Sequence, residues 1–94
     1  MHHVYILTNR MHGTLYTGIT NDLANRVTLH RRGLGSEFVK KYTLYRLVYA
    51  EPFEDIAEAI GYEKRLKKWK RVWKIRLIEK HNPDWRDLYE DLNL

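Results

Sequence analysis

Apolar and polar positions along this chain follow two periods, and each change of period marks an element. His3-Val4-Tyr5-Ile6-Leu7 and Leu15-Tyr16-Thr17-Gly18-Ile19-Thr20 are aromatic and β-branched runs, the composition of strands. Thr8-Asn9-Arg10-Met11-His12-Gly13 between them carries turn residues, so the pattern predicts an antiparallel hairpin. With Leu7 pairing near Thr14, Tyr5 comes roughly opposite Tyr16, and the two phenols share a face. Gly18 inside the second strand signals a bulge or the close approach of another backbone; as ordinary strand residues, the aromatics would simply fill a core.

The period then lengthens. Asn21 or Asp22 caps a helix running through Leu23, Val27 and His30 to about Arg32, stopped by Gly33 and Gly35. Ser36 to Tyr42 reads as a short turn or helical bend. Leu44 to Phe53 is a third strand ended by Pro52. Glu54 or Asp55 opens a long helix to about Trp69, and Lys70 to Lys80 is another helix or its bent continuation. Asn82-Pro83 breaks it, and Trp85 to Tyr89 closes the chain, with Trp85 and Leu88 packing over the sheet. The order strand, strand, helix, strand, helix, helix predicts an α/β (α+β) fold, a small, mainly antiparallel three-stranded sheet flanked by helices.

Composition narrows the class. Ninety-four residues without an internal repeat or linker make one domain over 1–94. With no cysteine, the chain has neither a disulfide nor a thiolate metal site. No apolar run approaches the length of a membrane span, so the expectation is a soluble, cytoplasmic protein. Seventeen Lys and Arg against 12 acids give a formal charge of +5, which favours a polyanionic partner. Residues 64 to 76 hold Lys64, Arg65, Lys67, Lys68, Lys70, Arg71, Lys74 and Arg76 with no acid among them. Such a run can be a solvated helix face, but Trp69 and Trp73 are interleaved with it. Those two could stack on bases, although aromatics four apart on a helix more often belong to a core.

Two helices carry polar residues on apolar stripes. In the first, Arg26 and His30, four apart, border or lie on the Leu23–Val27 face. In the long helix Ile56, Ala59, Ile60 and Leu66 define the buried face, and Glu63 falls in its middle. A buried carboxylate must be paired, metal-bound or neutralised. Glu63 is therefore either an ion-pair partner of Arg26 or a metal ligand in a cleft shared with Arg26, His30 and the tyrosines. A carboxylate suits Mg²⁺, which keeps most of its waters and is completed by substrate phosphate, so one can suffice.

These residues resemble the GIY-YIG nucleases. Tyr5 stands at the tyrosine of the family's first motif and Tyr16-Thr17-Gly18 at its second; Arg26, His30 and Glu63 follow at family spacing, with Asn82 as the late asparagine. The stretches 16–23, 63–69 and 82–88 look like the small stand-alone bacterial members. Two positions depart from the bacterial excision-repair nuclease: Ile19 replaces a lysine and His30 a tyrosine. The resemblance implies a metal-dependent endonuclease that hydrolyses DNA phosphodiester bonds, linked to repair or recombination. In it Glu63 holds Mg²⁺ or Mn²⁺, Arg26 holds the phosphate oxygens, and a tyrosine, helped by water or His30, takes the proton of the attacking water. Tyr16 is the favoured base, its phenol poised by Arg26, His30 and the ion, with Tyr5 orienting. Asn82 would position the metal or Glu63. Gly18, Lys64, Arg65, Lys67, Lys68, Lys70, Arg71 and Lys74 would lie against nucleic acid, gripping backbone without reading sequence. Branched, flapped or single-stranded DNA is the expected substrate. A catalytically weak nucleic-acid-binding module of the same fold and a protein-interaction adaptor are the rival readings.

Overall fold

The computed structural model describes residues 1–93. Its centre is a three-stranded sheet of β1 (His2–Thr8), β2 (Leu15–Thr20) and β3 (Arg46–Phe53), ordered β2-β1-β3 and antiparallel throughout. The helices are α1 (Leu23–Arg31), α2 (Glu37–Tyr42), α3 (Ile56–Lys68) and α4 (Arg71–His81), followed by a 3₁₀ segment, Leu88–Asn93. Three helices start on a side-chain cap: Asp22, Ser36 and Asp55 accept from the amides of Asn25, Val39 and Glu58, each worth about 1 kcal/mol. Trp69 and Lys70 are extended, with ψ of 147° and 146°. The second basic stretch is thus a separate helix and not a continuation.

Alternation along β1 divides the interior. Val4 and Ile6 pack with Val48, Tyr49, Ala59, Leu66, Ile78 and Trp85, beneath α3 and α4. Tyr5 and Leu7 face the other way, into Leu23 and Val27 of α1, Val39 of α2, Leu44 of the turn before β3 and Leu47 of β3. Each face of the central strand is buried, as the near-continuous apolar reading of residues 4–7 requires.

Several expectations are corrected. The hairpin register pairs Leu7 with Tyr16 and Tyr5 with Gly18, two residues away from the expected alignment, because the loop takes up Asn9–Thr14. Tyr5 and Tyr16 still share a face, since a shift of two preserves side-chain parity. They are diagonal neighbours, ring centroids 6.3 Å apart. The bulge falls in β3, between Ile6–Tyr49 and Leu7–Leu47, and not at Gly18. Strand β3 continues through Pro52, which pairs with His3; β3 is an edge strand, where a missing amide is tolerated. It starts at Arg46 rather than Leu44, because Thr43 takes a left-handed conformation (φ 52°) that ends α2.

The inward face of α3 is centred on Ala59 and Leu66, whereas Ile56 and Ile60 are exposed. Glu63 lies about 60° around the helix from Leu66, on the border of the buried stripe and not in its middle. The C-terminal segment is latched by polar contacts. Leu47 N donates to Asp87, which also pairs with Arg31. Arg46 donates to the Trp85 carbonyl. Trp85 is fully buried and its indole N–H reaches Glu79 at 2.9 Å.

Candidate active site

Tyr5 is the centre of the cluster. Its ring crosses the β1–β2 pair and lies over Gly18, where a Cβ would stand 2.5 Å from both Cζ and the hydroxyl. The absent side chain at Gly18 makes room for this phenol, so the close approach expected there is by a ring of the same sheet. That contact gives Gly18 a packing role, whereas the sequence pattern suggested one against nucleic acid. At its far end the Tyr5 hydroxyl meets His30 Nε2 at 3.0 Å.

His30 is buried at the end of the Leu23–Val27 stripe of α1, its ring tilted against Tyr5 and edge-on to Tyr16 at 5.6 Å. Its Nδ1 is buried without a hydrogen-bond partner among the described residues. The tautomer that strands no buried N–H carries the proton on Nε2, which then donates to the Tyr5 oxygen. The Tyr5 proton is thereby left for the neighbouring Tyr16 hydroxyl or for a group bound at the cluster. Burial first, then the Arg26 charge, lowers the His30 pKa, so the imidazole is neutral at pH 7.

Only 1% of Tyr5 is exposed. Burial chiefly, then Tyr16, raises its pKa well above the ordinary phenol value; Arg26 opposes the shift and Glu63 adds to it. Tyr5 is thus a protonated hydrogen-bond donor at neutral pH. Among the chain's own groups nothing poises Tyr5 for deprotonation, since His30 brings no charge and burial outweighs Arg26; the expected base is Tyr16, with the ion as part of what poises it. Tyr16 is half-buried at the mouth.

Arg26 and Glu63 reach this cluster from different helices, and both act on the Tyr5 phenol. Arg26 is half-buried, with no side-chain hydrogen bond or ion pair among the described residues. Glu63 is not paired with Arg26. Its partner is Lys67, one turn on, at 2.8 Å, with the Glu63 side chain 12% exposed and the lysine open to solvent. An inward carboxylate whose ion-pair partner is a solvent-exposed lysine fits a hydrated Mg²⁺ or Mn²⁺, whose remaining positions go to water and phosphate. Among the described residues no group of three or more His, Asp or Glu converges as a ready-made cage, so Glu63 would be the one protein ligand.

The remaining candidates lie apart. Asn82 is buried at the end of α4, donating to the carbonyls of Val48 (3.2 Å) and Arg86 (2.8 Å) and accepting from Arg86 N. Its amide ties the C-terminal segment to the bulge of β3 and bonds to neither Glu63 nor Arg26. Arg71 donates to the carbonyls of His12 and Gly13, both at 2.6 Å, and so pins the hairpin loop. Lys74 caps the Lys67 carbonyl at 3.3 Å, and burial, then Arg71, lowers its pKa. Three cations of the basic run are thus engaged within the molecule; Lys64, Arg65, Lys68 and Lys70 are exposed. A cleft of about 350 Å³ between the hairpin and the α3–α4 junction is lined by Thr14, Leu15, Trp69, Arg71 and Lys74, none of them from the tyrosine cluster. Trp69 is half-buried against the core, whereas Trp73 is 48% exposed and does not belong to the interior.

The pattern of residues missed one part of the neighbourhood. Phe38 stacks on Tyr16 at 6.3 Å, and Tyr42 is tilted against Phe38 at 4.9 Å. The signal was there, two aromatics four apart behind the Ser36 cap, but a six-residue helix is too short for a periodic pattern to stand out.

A three-stranded antiparallel sheet presenting paired tyrosines to an arginine on one helix and a glutamate on another defines the GIY-YIG class. The GIY-YIG catalytic domain model matches residues 1–76, and the chain belongs to this family of nucleases. Its relatives include the UPF0213 protein of Oceanobacillus iheyensis, 37% identical over 83% of this chain and 90% of that one. A UPF0213 protein of Staphylococcus aureus is 40% identical over 83% and 94%. The solution structure of a UPF0213 protein from Bacillus halodurans superposes with a TM-score of 0.59 at 30% identity, covering 92% of this chain and 90% of that one. Among the described residues no helix is long and apolar enough to cross a membrane.

Proposed function

We propose that this protein is a divalent-metal-dependent DNA endonuclease of the bacterial cytoplasm, acting on branched, flapped or single-stranded DNA in repair or recombination. The observation that supports the reading is the gathering of Tyr5, Tyr16 and His30, ring centroids 5.6 to 6.3 Å apart, with Arg26 on α1 and Glu63 on α3 near enough to act on the Tyr5 phenol. A cation and a carboxylate that could neutralise one another are instead held apart around a polar cluster. Glu63 would hold Mg²⁺ or Mn²⁺, which when bound supplies Lewis-acid polarisation of the phosphate and charge neutralisation at the leaving oxygen.

The residues of the chain divide the other tasks. Arg26, with no side-chain partner among the described residues, takes the non-bridging phosphate oxygens through its planar fork. Tyr5, kept protonated and oriented by His30, donates to phosphate or to the attacking water. Tyr16, the more accessible phenol, would act as its phenolate, having first given its own proton to solvent, and would take the water's proton in the attack step. Lys64, Arg65, Lys68 and Lys70 hold flanking phosphates without reading bases.

The test is nicking of supercoiled plasmid and cleavage of labelled forked DNA by wild type, Glu63→Gln and Arg26→Ala purified identically, with Mg²⁺ or EDTA. Metal-dependent cleavage lost in both variants is the expected result. Absence of cleavage by wild type, with salt-sensitive DNA binding by all three, would replace the nuclease with a binding module.

A further inference from the structure

Helix α2 carries an aromatic strip that no packing demand explains. Tyr16, at the mouth of the cluster, stacks on Phe38 with an interplanar angle of 30°, and Phe38 meets Tyr42 at 57°. The rings run outward from the site: Tyr16 is half-buried, Phe38 is 44% exposed and Tyr42 39% exposed. Val39 alone anchors α2 in the interior. Exposed aromatic surface contiguous with a candidate active site marks a place where something docks.

Charge identifies the occupant. Lys41 is exposed beside the strip, and Arg32 and Lys40 are exposed elsewhere in the same segment, with Glu37 as the one acid between residues 32 and 42. The Lys41 ammonium lies 5.3 Å from the Tyr42 ring. Aromatic faces edged by a cation suit a polyanion that also offers flat π-surfaces, the combination found in a nucleic acid strand. Paired bases are stacked on each other within a duplex and cannot offer their faces, so the bases must be unpaired.

We propose that Phe38 and Tyr42 form a stacking shelf for one or two unpaired nucleotides adjoining the phosphate held at Arg26, with Lys41 on the intervening backbone. The site thereby selects DNA that is single-stranded or frayed next to the cut. This rests on reading the tyrosine cluster as a phosphodiester-cleaving site, and it assigns that site its substrate class.

The experiment separates the two readings. Fluorescence anisotropy in EDTA compares wild type with the Phe38→Leu/Tyr42→Leu double variant on a labelled single strand, on a blunt duplex of the same length, and on a strand carrying consecutive abasic sites. Leucine keeps apolar area and helix propensity but removes the ring face. The variant should lose about tenfold or more in single-strand affinity, the scale of base–aromatic stacking, with duplex affinity changed less than twofold. The abasic strand should bind wild type and variant equally. With Mg²⁺, cleavage of a forked substrate should show a raised KM in the variant. Equal single-strand affinity of wild type and variant overturns the shelf whether or not the enzyme cuts. If wild type cuts nothing but the ring-dependent preference for unpaired bases persists, the shelf stands and only the nuclease reading falls. A wild-type dimer that the double substitution converts to monomer in sedimentation would instead make the strip a self-interface and overturn the proposal.

Discussion

Gly18 lies beneath the phenol of Tyr5, so close that a methyl group there would stand 2.5 Å from the ring and the hydroxyl. The Tyr5 ring cannot slide away freely, because its hydroxyl is fixed to His30 and its body is buried. Gly18→Ala should therefore displace the ring, break the Tyr5–His30 bond and cost about 1–3 kcal/mol as an overpacked site. Urea denaturation measures the loss, and cleavage should fall with it. A change below about 0.5 kcal/mol would mean that the sheet absorbs the methyl group.

Glu63 and Lys67 form a pair with one partner open to solvent, worth about 0.3–0.5 kcal/mol. Glu63→Gln should accordingly leave the melting temperature nearly unchanged while abolishing Mn²⁺ binding in calorimetric titration. Unfolding of that variant would instead reveal a carboxylate needed by the fold.

Lys67 competes with any cation for the same carboxylate. Lys67→Ala should tighten Mn²⁺ binding by about twofold, the weight of an i,i+4 pair, as read in the same titration. Weaker binding would show that the lysine organises the ligand instead of occupying it.

Acid should act first through His30. Its folded pKa is lowered, so the unfolded chain binds a proton that the native imidazole refuses. The stability from neutral His30 is complete above the unfolded value of about 6.5 and declines as pH falls from there toward the folded value. Denaturation midpoints between pH 7.5 and 5 should fall in wild type and fall less steeply in His30→Gln, where His3, its pKa lowered by burial and then by the N-terminal charge, supplies the remainder. Glu79 and Asp91, whose pKa values are also lowered, act in a more acidic window. A pH-independent midpoint over this range would mean that folding leaves the imidazole pKa unchanged.

Asn82 offers a contrast between latch and catalyst. Asn82→Ala removes three hydrogen bonds and leaves the buried Val48 carbonyl without its side-chain partner, for about 2–3 kcal/mol. For a chain of this size that is a fall of about 10 °C or more in Tm. Activity below the new Tm should persist; loss of activity at unchanged Tm would return Asn82 to the site.

Much of this was legible along the chain, for reasons that vary with the residue. Strand and helix order follows from local periodicity and from the caps Asp22, Ser36 and Asp55, which act within four residues of themselves. The grouping of Tyr5, Tyr16, Arg26, His30 and Glu63 was readable because their order and spacing match a family, although no single spacing puts them together. Pro52 was misread as a strand terminator because whether a strand lies at an edge is a property of the sheet. Trp73 was set with the core because helical spacing states which residues share a face but not whether anything covers it. Asn82, Arg71 and Lys74 were drawn toward the site by motif and charge, whereas main-chain carbonyls from distant segments claim their donors.

The sequence by itself determined the elements, the charge and the set of chemically capable residues, all of which rest on local propensity and composition. Only the tertiary structure decided the register that sets Tyr5 over Gly18, the burial that keeps Tyr5 protonated and His30 neutral, and the choice of Lys67 over Arg26 as the partner of Glu63. Each of these depends on solvent exclusion and distances between segments far apart in the chain. A phenol, an imidazole and a carboxylate acquire their protonation from the neighbours that folding brings to them.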